Sequence, residues 1–156
     1  MKVELISLES GKEKWFTEAS ELYAKKLKPV LNFSHTLFKA KNLERKQSDQ
    51  KKELESALLL SKIKSNDYVI LCEERGKSFD SIEFSTKLRA AYESGSSRVL
   101  FVVGGAYGVN QDLRSRANLL WSFSPMVMNH MLAQVVALEQ IYRATTIWKG
   151  TPYHNE

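Results

Sequence analysis

Two short apolar runs, Tyr68-Val-Ile-Leu-Cys72 and Val99-Leu-Phe-Val-Val103, most tightly constrain how this chain can fold. Each is too short for a buried helix and the right length for a strand covered on both faces. Between them Ile82, Phe84, Leu88, Ala91 and Tyr92 recur at helical intervals, starting at Ser81 and ending at Gly95, which suits a left-handed cap. A buried strand, a helix and a second buried strand make a parallel crossover unit.

The rest of the chain repeats that alternation. Lys2 to Leu8 alternates loosely and reads as a strand. From Lys12 to Lys28 the residues Trp15, Phe16, Ala19, Leu22, Tyr23 and Leu27 form the inner face of an amphipathic helix, stopped by Pro29. Leu31 to Phe38 is a second strand. Lys39 to Lys52 is a mobile basic loop leading into a helix from about Asp49, with Leu54, Ala57, Leu58, Leu60 and Ile63 inward. Glu73 to Lys77 is a polar loop. Asn110 or Asp112 caps a short helix through Ala117, and Leu119 to Trp121 is a last short strand. A long helix runs from about Asn129 to Trp148, followed by a tail expected to fray. This order predicts one α/β domain over residues 1–156, with a mainly parallel sheet and helices on both faces.

Charge is distributed unevenly. The chain has 23 Lys and Arg against 18 Asp and Glu, a net charge of +5. Residues 1–64 hold 14 basic and 9 acidic residues, and residues 65–156 hold 9 of each. A basic region beside a neutral one points to an anionic macromolecule, nucleic acid first. Cys72 is the single cysteine, which excludes an internal disulfide and a cysteine-built zinc site. His35, His130 and His154 have no metal-ligand spacing, so no metal is expected. Leu119 to Leu138 has no charged residue, yet six polar or helix-breaking positions in it argue against a membrane span. Met1-Lys-Val-Glu-Leu lacks an apolar signal core, so a cytoplasmic protein is expected.

Ligands of open α/β sheets bind beyond the carboxyl ends of the strands. Two such ends carry suggestive residues. After Val103 comes Gly104-Gly105-Ala106-Tyr107-Gly108, where glycine permits positive φ and close ligand approach. The spacing is neither a dinucleotide fingerprint nor a Walker loop. After Trp121 comes Ser-Phe-Ser-Pro-Met-Val-Met-Asn-His130, apolar but neither helical nor alternating. Its backbone polar groups need partners; one solution is a wrapped ligand, with the Phe and Met side chains suited to an adenine ring and a thioether, and the other is a packed core loop. His130 falls at the start of the last helix. Glu139 and Arg143, four apart, can pair on its face, and Tyr153 and His154 stand together in the tail.

With these pieces assembled, the chain resembles the RlmH family of small SPOUT-class rRNA methyltransferases over nearly its whole length. The likeness rests on Met1-Lys-Val, Arg75-Gly76-Lys77, Val102-Val-Gly-Gly-Ala-Tyr-Gly108, Trp121-Ser-Phe-Ser, His130, Glu139-Gln-Ile-Tyr-Arg-Ala144 and Pro152-Tyr-His-Asn-Glu156. It implies a C-terminal trefoil knot, a homodimer and an S-adenosylmethionine site at Cys72, Gly104, Phe123, Ser124, Pro125, Met126, Val127 and Met128. It implies methylation of N3 of a pseudouridine in large-subunit rRNA of the assembled 70S ribosome. His130, Arg143, Tyr153 and His154 are the residues expected to orient substrate and handle its proton, with the tail completing the partner subunit's site. Lys39, Lys41, Arg45, Lys46, Lys51 and Lys52 are candidates for RNA phosphate contact. Three positions depart from the family pattern: Asn129 stands where Pro is typical, Gln134 where Arg is frequent, and Cys72 where Leu is common. A non-catalytic RNA- or ribosome-binding module shares the basic first half but needs no cofactor. An enzyme for another adenine-containing cofactor would need the acidic partner that is missing here.

Overall fold

A computed structural model describes residues 1–155. The elements are β1 (Lys2–Leu8), α1 (Lys14–Leu27), β2 (Asn32–Phe38), α2 (Ser48–Ser61), β3 (Asp67–Ser78), α3 (Ser81–Tyr92), β4 (Arg98–Val103), α4 (Gln111–Arg116), β5 (Leu119–Ser122) and α5 (His130–Lys149). The five strands pair in the order β2-β1-β4-β3-β5, every pairing parallel. All carboxyl ends therefore lie along one edge.

The apolar runs work as expected of strands buried on both faces. Val3, Leu5, Ile70, Val99, Phe101 and Val103 face one core with Leu27, Phe84, Leu88, Leu138 and Ile141, from α1, α3 and α5. The intervening Ile6, Leu8, Val69, Leu71, Leu100 and Val102 face a second core with Leu59 of α2 and Leu113 of α4. The period-2 alternation of a strand sends neighbours to opposite faces, so one run feeds two cores. Trp121 of β5 stacks on Phe84 with ring centroids 3.8 Å apart, and Phe101 meets both edge-on.

Several boundaries and faces differ from the sequence reading. β3 does not stop at Cys72: it continues through the expected polar loop to Ser78, pairing Lys77 with Trp121 after an irregularity between Cys72 and Lys77. Gly76 allows this, because a Cβ there would lie 2.6 Å from the Leu120 carbonyl. The inner faces of three helices are rotated. In α1, Trp15 and Leu22 are exposed and Phe16, Ser20 and Leu27 are buried. Ile82 of α3 is exposed, while Ser85 is buried and donates to the Ala144 carbonyl at 2.7 Å. In α2, Leu54 is exposed and the buried residues are Glu55, Ser56 and Leu59. α2 starts at Ser48 behind a Gln47–Gln50 capping box, so the basic loop ends there. Among the described residues no helix is long and apolar enough to cross a membrane.

Candidate active site

A cavity of about 320 Å³ opens at the carboxyl edge, over the ends of β4 and β5 and the middle of β3 at Cys72–Glu74. Its walls are the glycine turn after β4 and the loop between β5 and α5. Cys72, Gly104, Phe123, Ser124, Met126, Val127 and Met128 line it, as does His130. Pro125 does not face the cavity and sits exposed in the bend of the loop. The size is that of a small-molecule site.

Each wall is set by local chemistry. Gly108 has φ of 85° and its N–H donates to the Gly105 carbonyl at 3.2 Å, closing the turn. Gly104 and Gly105 serve a different purpose from the one expected, since neither has positive φ. They are glycines for space. A Cβ on Gly104 would strike Val109, and one on Gly105 would strike the Glu55 carboxylate and Leu8. The rotated face of α2 now makes sense, because it grips the turn. Ser56 Oγ accepts from the Asn110 N–H at 2.9 Å, Glu53 accepts from Asn110 Nδ2 at 2.9 Å, and Lys51 Nζ donates to Tyr107 Oη at 3.2 Å. Burial raises the Glu55 carboxyl, with the Lys51 charge pulling the other way.

The second wall hangs from the aromatic core. Phe123 meets Trp121 edge-on at 4.6 Å. Ser122 Oγ reaches the carbonyls of Glu74 and Ser124, each at 3.0 Å, and Ser124 Oγ accepts from the Met126 N–H. Met126 and Val127 are 76% and 82% exposed, so this wall presents apolar side chains that its own chain does not cover. Asn129 then caps α5, its Oδ1 accepting from the amides of Met131 and Leu132. An Asn in this position has a physical reason, since the first amides of a helix lack intrahelical partners.

His130 stands on the cavity rim, its Nε2 2.5 Å from Ser10 Oγ in the segment after β1. Burial lowers its pKa, so the imidazole is neutral at physiological pH and keeps an acceptor nitrogen. Burial likewise pushes the Cys72 thiol up, leaving a small uncharged group in the cavity wall. Glu73 and Arg114 also line the cavity, with Arg114 Nη2 3.7 Å from Glu73 Oε1. Gln134 is fully buried, and His35 Nε2 donates to its Oε1 at 2.8 Å. It is therefore an internal partner of β2 and not a surface group.

The other three candidate residues lie elsewhere. Arg143 is thirteen residues along α5 from His130, which at 1.5 Å per residue puts it about 20 Å away. There Glu139 is the hub. It accepts from Arg143 Nη2 at 2.7 Å, from Arg143 Nε at 3.3 Å, from Tyr153 Oη at 3.1 Å and from Gln140 Nε2 at 3.0 Å. Arg143 Nη1 donates to His154 Nδ1 at 3.2 Å, which leaves Nε2 as the ring's donor. The hydrogen bond to Glu139 raises the Arg143 guanidinium. Burial first, and then the hydrogen bond to Glu139, hold the Tyr153 phenol up at about 12, so it is a donor near neutrality. The expected frayed tail is in fact folded back on α5 through these contacts.

One chain thus assembles Cys72, Gly104, most of Phe123–Met128 and His130 at one end of α5, and Arg143, Tyr153 and His154 at the other. Sequence reasoning missed Ser10, Glu55 and Ser56 as supports of the site, and no local pattern marks them; Tyr107 was read only as part of the glycine turn. Glu139 was legible as a helix pair with Arg143 and as part of the motif Glu139-Gln-Ile-Tyr-Arg-Ala144, but its bond to Tyr153 was not. Among the described residues no group of three His, Cys, Asp or Glu is placed to hold a metal ion.

Comparison with known proteins finds relatives along nearly the whole chain. A family profile described as "Predicted SPOUT methyltransferase" matches residues 1–154. A protein of Bdellovibrio bacteriovorus named Ribosomal RNA large subunit methyltransferase H is 49% identical over 155 residues, covering 99% of both chains. Proteins of the same name from Parabacteroides distasonis and Leuconostoc mesenteroides are 35% and 38% identical, covering 99% or more of each chain. Matched along nearly its whole length by both the profile and these relatives, the chain belongs to the SPOUT methyltransferases, in the RlmH family.

Proposed function

We propose that this protein transfers a methyl group from S-adenosylmethionine to N3 of a pseudouridine in large-subunit (23S) rRNA, acting on the assembled 70S ribosome in the cytoplasm. The observation that carries this reading is the cavity over β3, β4 and β5. Its walls are a glycine turn packed tightly against Val109, Glu55 and Leu8 and an irregular apolar loop, with a neutral histidine on the rim. That combination suits an adenine ring and a thioether better than a phosphate group, which would call for a Walker lysine or a fingerprint turn.

Bound there, S-adenosylmethionine supplies an electrophilic methyl on a sulfonium. Cys72, Gly104 and the run Phe123, Ser124, Met126, Val127 and Met128 would hold it, with Pro125 shaping the bend of the loop. The chain's own residues then need to orient the nucleotide and manage one proton. His130 has acceptor capacity at neutral pH. Arg143, Tyr153 and His154 offer donors, which stabilise the oxygen charge that grows as N3 loses its proton. No single one is assigned as the base. The two groups are too far apart in one chain to act on one atom, which supports a homodimer whose tail completes the partner's site. The reading also carries the single domain of residues 1–156 and the C-terminal trefoil knot of its family. Lys39, Lys41, Arg45, Lys46, Lys51 and Lys52 serve rRNA phosphates, giving strongly salt-dependent binding.

Transfer of labelled methyl to 70S ribosomes, isolated subunits and naked rRNA, with mapping of the modified base, tests this. Label at one pseudouridine of 70S large-subunit rRNA is the expected result. Label confined to tRNA or protein refutes the substrate, and no calorimetric binding at millimolar cofactor refutes the enzyme. A non-catalytic ribosome-binding module predicts ribosome association without either.

A further inference from the structure

The tail is held by side chains alone. Its last backbone hydrogen bond is from the Thr151 N–H to the Thr146 carbonyl; the chain from Pro152 to Asn155 makes none within the described residues. What fixes it is the ring of Tyr153 and the imidazole of His154. α5 contributes Glu139, Arg143 and Tyr142, the last meeting the Tyr153 ring edge-on at 4.8 Å.

The remaining contact comes from another helix. Lys26 Nζ of α1 lies 5.7 Å from the Tyr23 ring centroid, 5.4 Å from that of Tyr142 and 5.5 Å from that of Tyr153. Tyr23 is three residues before Lys26, on the same helix face. The Arg143 guanidinium lies 4.8 Å from the Tyr153 ring as well. None of the ion pairs among the described residues involves Lys26. Three tyrosine rings, one from each of α1, α5 and the tail, are the surroundings of this ammonium. A ring quadrupole attracts a cation over its face, so the charge ties together α1, α5 and the part of the tail beyond Thr151 that makes no backbone hydrogen bond.

We infer that Lys26 is a positioning residue for the methyl transfer: by its cation–π contacts it orders the C-terminal tail and so presents Tyr153 and His154. This rests on the proposed role of the tail, and it adds α1 to the machinery. Lys26 does not touch the reacting atoms. It acts through Tyr153, which Glu139 holds by the hydroxyl while Lys26 and Arg143 hold it by the ring.

The test compares Lys26→Met, which keeps the aliphatic stem, with Lys26→Arg, which keeps the cation. Heteronuclear ¹⁵N relaxation at Tyr153, His154 and Asn155 reads tail order without requiring activity. In Lys26→Met these amides should move toward free-terminus values, while Lys26→Arg stays like the parent. In parallel, kcat for methyl transfer should fall roughly 3- to 30-fold in Lys26→Met, with cofactor Kd unchanged and rescue by Arg. An ordered tail in Lys26→Met overturns the inference. So does an equal loss of transfer in both variants with the tail unmoved, because Lys26 would then contact substrate itself. Should the parent protein transfer no methyl, the functional reading fails while the relaxation data still decide the role of Lys26.

Discussion

The two ends of α5 are built in opposite ways. At the amino end the cavity walls are backbone turns and apolar loops, given shape by absent side chains at Gly104 and Gly105 and by Phe123 anchored on Trp121. At the carboxyl end charged and aromatic side chains do the work, with Glu139 binding Arg143 and Tyr153 while Lys26 sits among three rings. A backbone cradle keeps its geometry with little rotamer freedom, which suits a cofactor of fixed shape. A side-chain network can rearrange when a nucleotide arrives. On the proposed reading the amino end holds the cofactor, with His130 on its rim, and the carboxyl end supplies charged donors, a division that experiment can break.

The largest effect is expected from deleting Tyr153–Glu156. Transfer should fall by about 100-fold or more, the scale of positioned acid–base groups, while calorimetric cofactor affinity stays within about twofold, as for groups that bind no cofactor. Parallel loss of both would merge the two ends into one site. Next is Gly105→Ala, whose Cβ meets the Glu55 carboxylate and, at 2.9 Å, Leu8. Cofactor Kd should rise roughly 10- to 100-fold, the usual scale of overpacking, and the order of the tail should not change. A Kd equal to the parent's would mean that the turn is not part of the cradle.

Arg143→Lys is milder. It retains charge but not the fork that serves Glu139 and His154 together, so kcat should drop about tenfold with cofactor Kd constant. A rise in Kd alone would instead place Arg143 with the cavity.

The smallest effect concerns acid. Burial lowers the pKa of His35, partly offset by its bond to Gln134, and of His130, both from the usual 6.5. The unfolded chain therefore takes up protons near 6.5 that the folded chain refuses until lower pH. Stability from these groups is complete above that value and is lost as pH falls toward the folded values. The urea midpoint should be lower at pH 5.5 than at pH 7.5. His35→Gln should flatten that slope. An unchanged slope would remove His35 from the acid response.

Much of the fold was legible because its signals are local. Buried strands need continuous apolar runs, and Tyr68–Cys72 and Val99–Val103 supply them within five residues each. The left-handed turn at Gly95, two residues past the Glu93 cap of α3, and the start of α5 near Asn129 follow from a single backbone conformation and a single side chain. Helix faces were read less well. Leu54, Leu22 and Ile82 are apolar and exposed, while Glu55, Ser56 and Ser85 are buried. Hydrophobic periodicity assumes that polar groups stay wet, and it fails wherever a distant element offers them a partner.

The sequence by itself determined the ten elements and their order, the placement after β4 and β5 of the two turns that wall the cavity, and the basic character of the first half. These depend on neighbours along the chain. Only the tertiary structure decided the strand order, the grip of α2 on the glycine turn, and the burial of Gln134 on His35. It also decided the docking of Tyr153 beside Lys26. The bonds involved span 54 positions between Ser56 and Asn110, 99 between His35 and Gln134 and 120 between Ser10 and His130. Contacts of that range follow from how the strands pair, because a buried polar group is stable only where the folded chain brings it a partner.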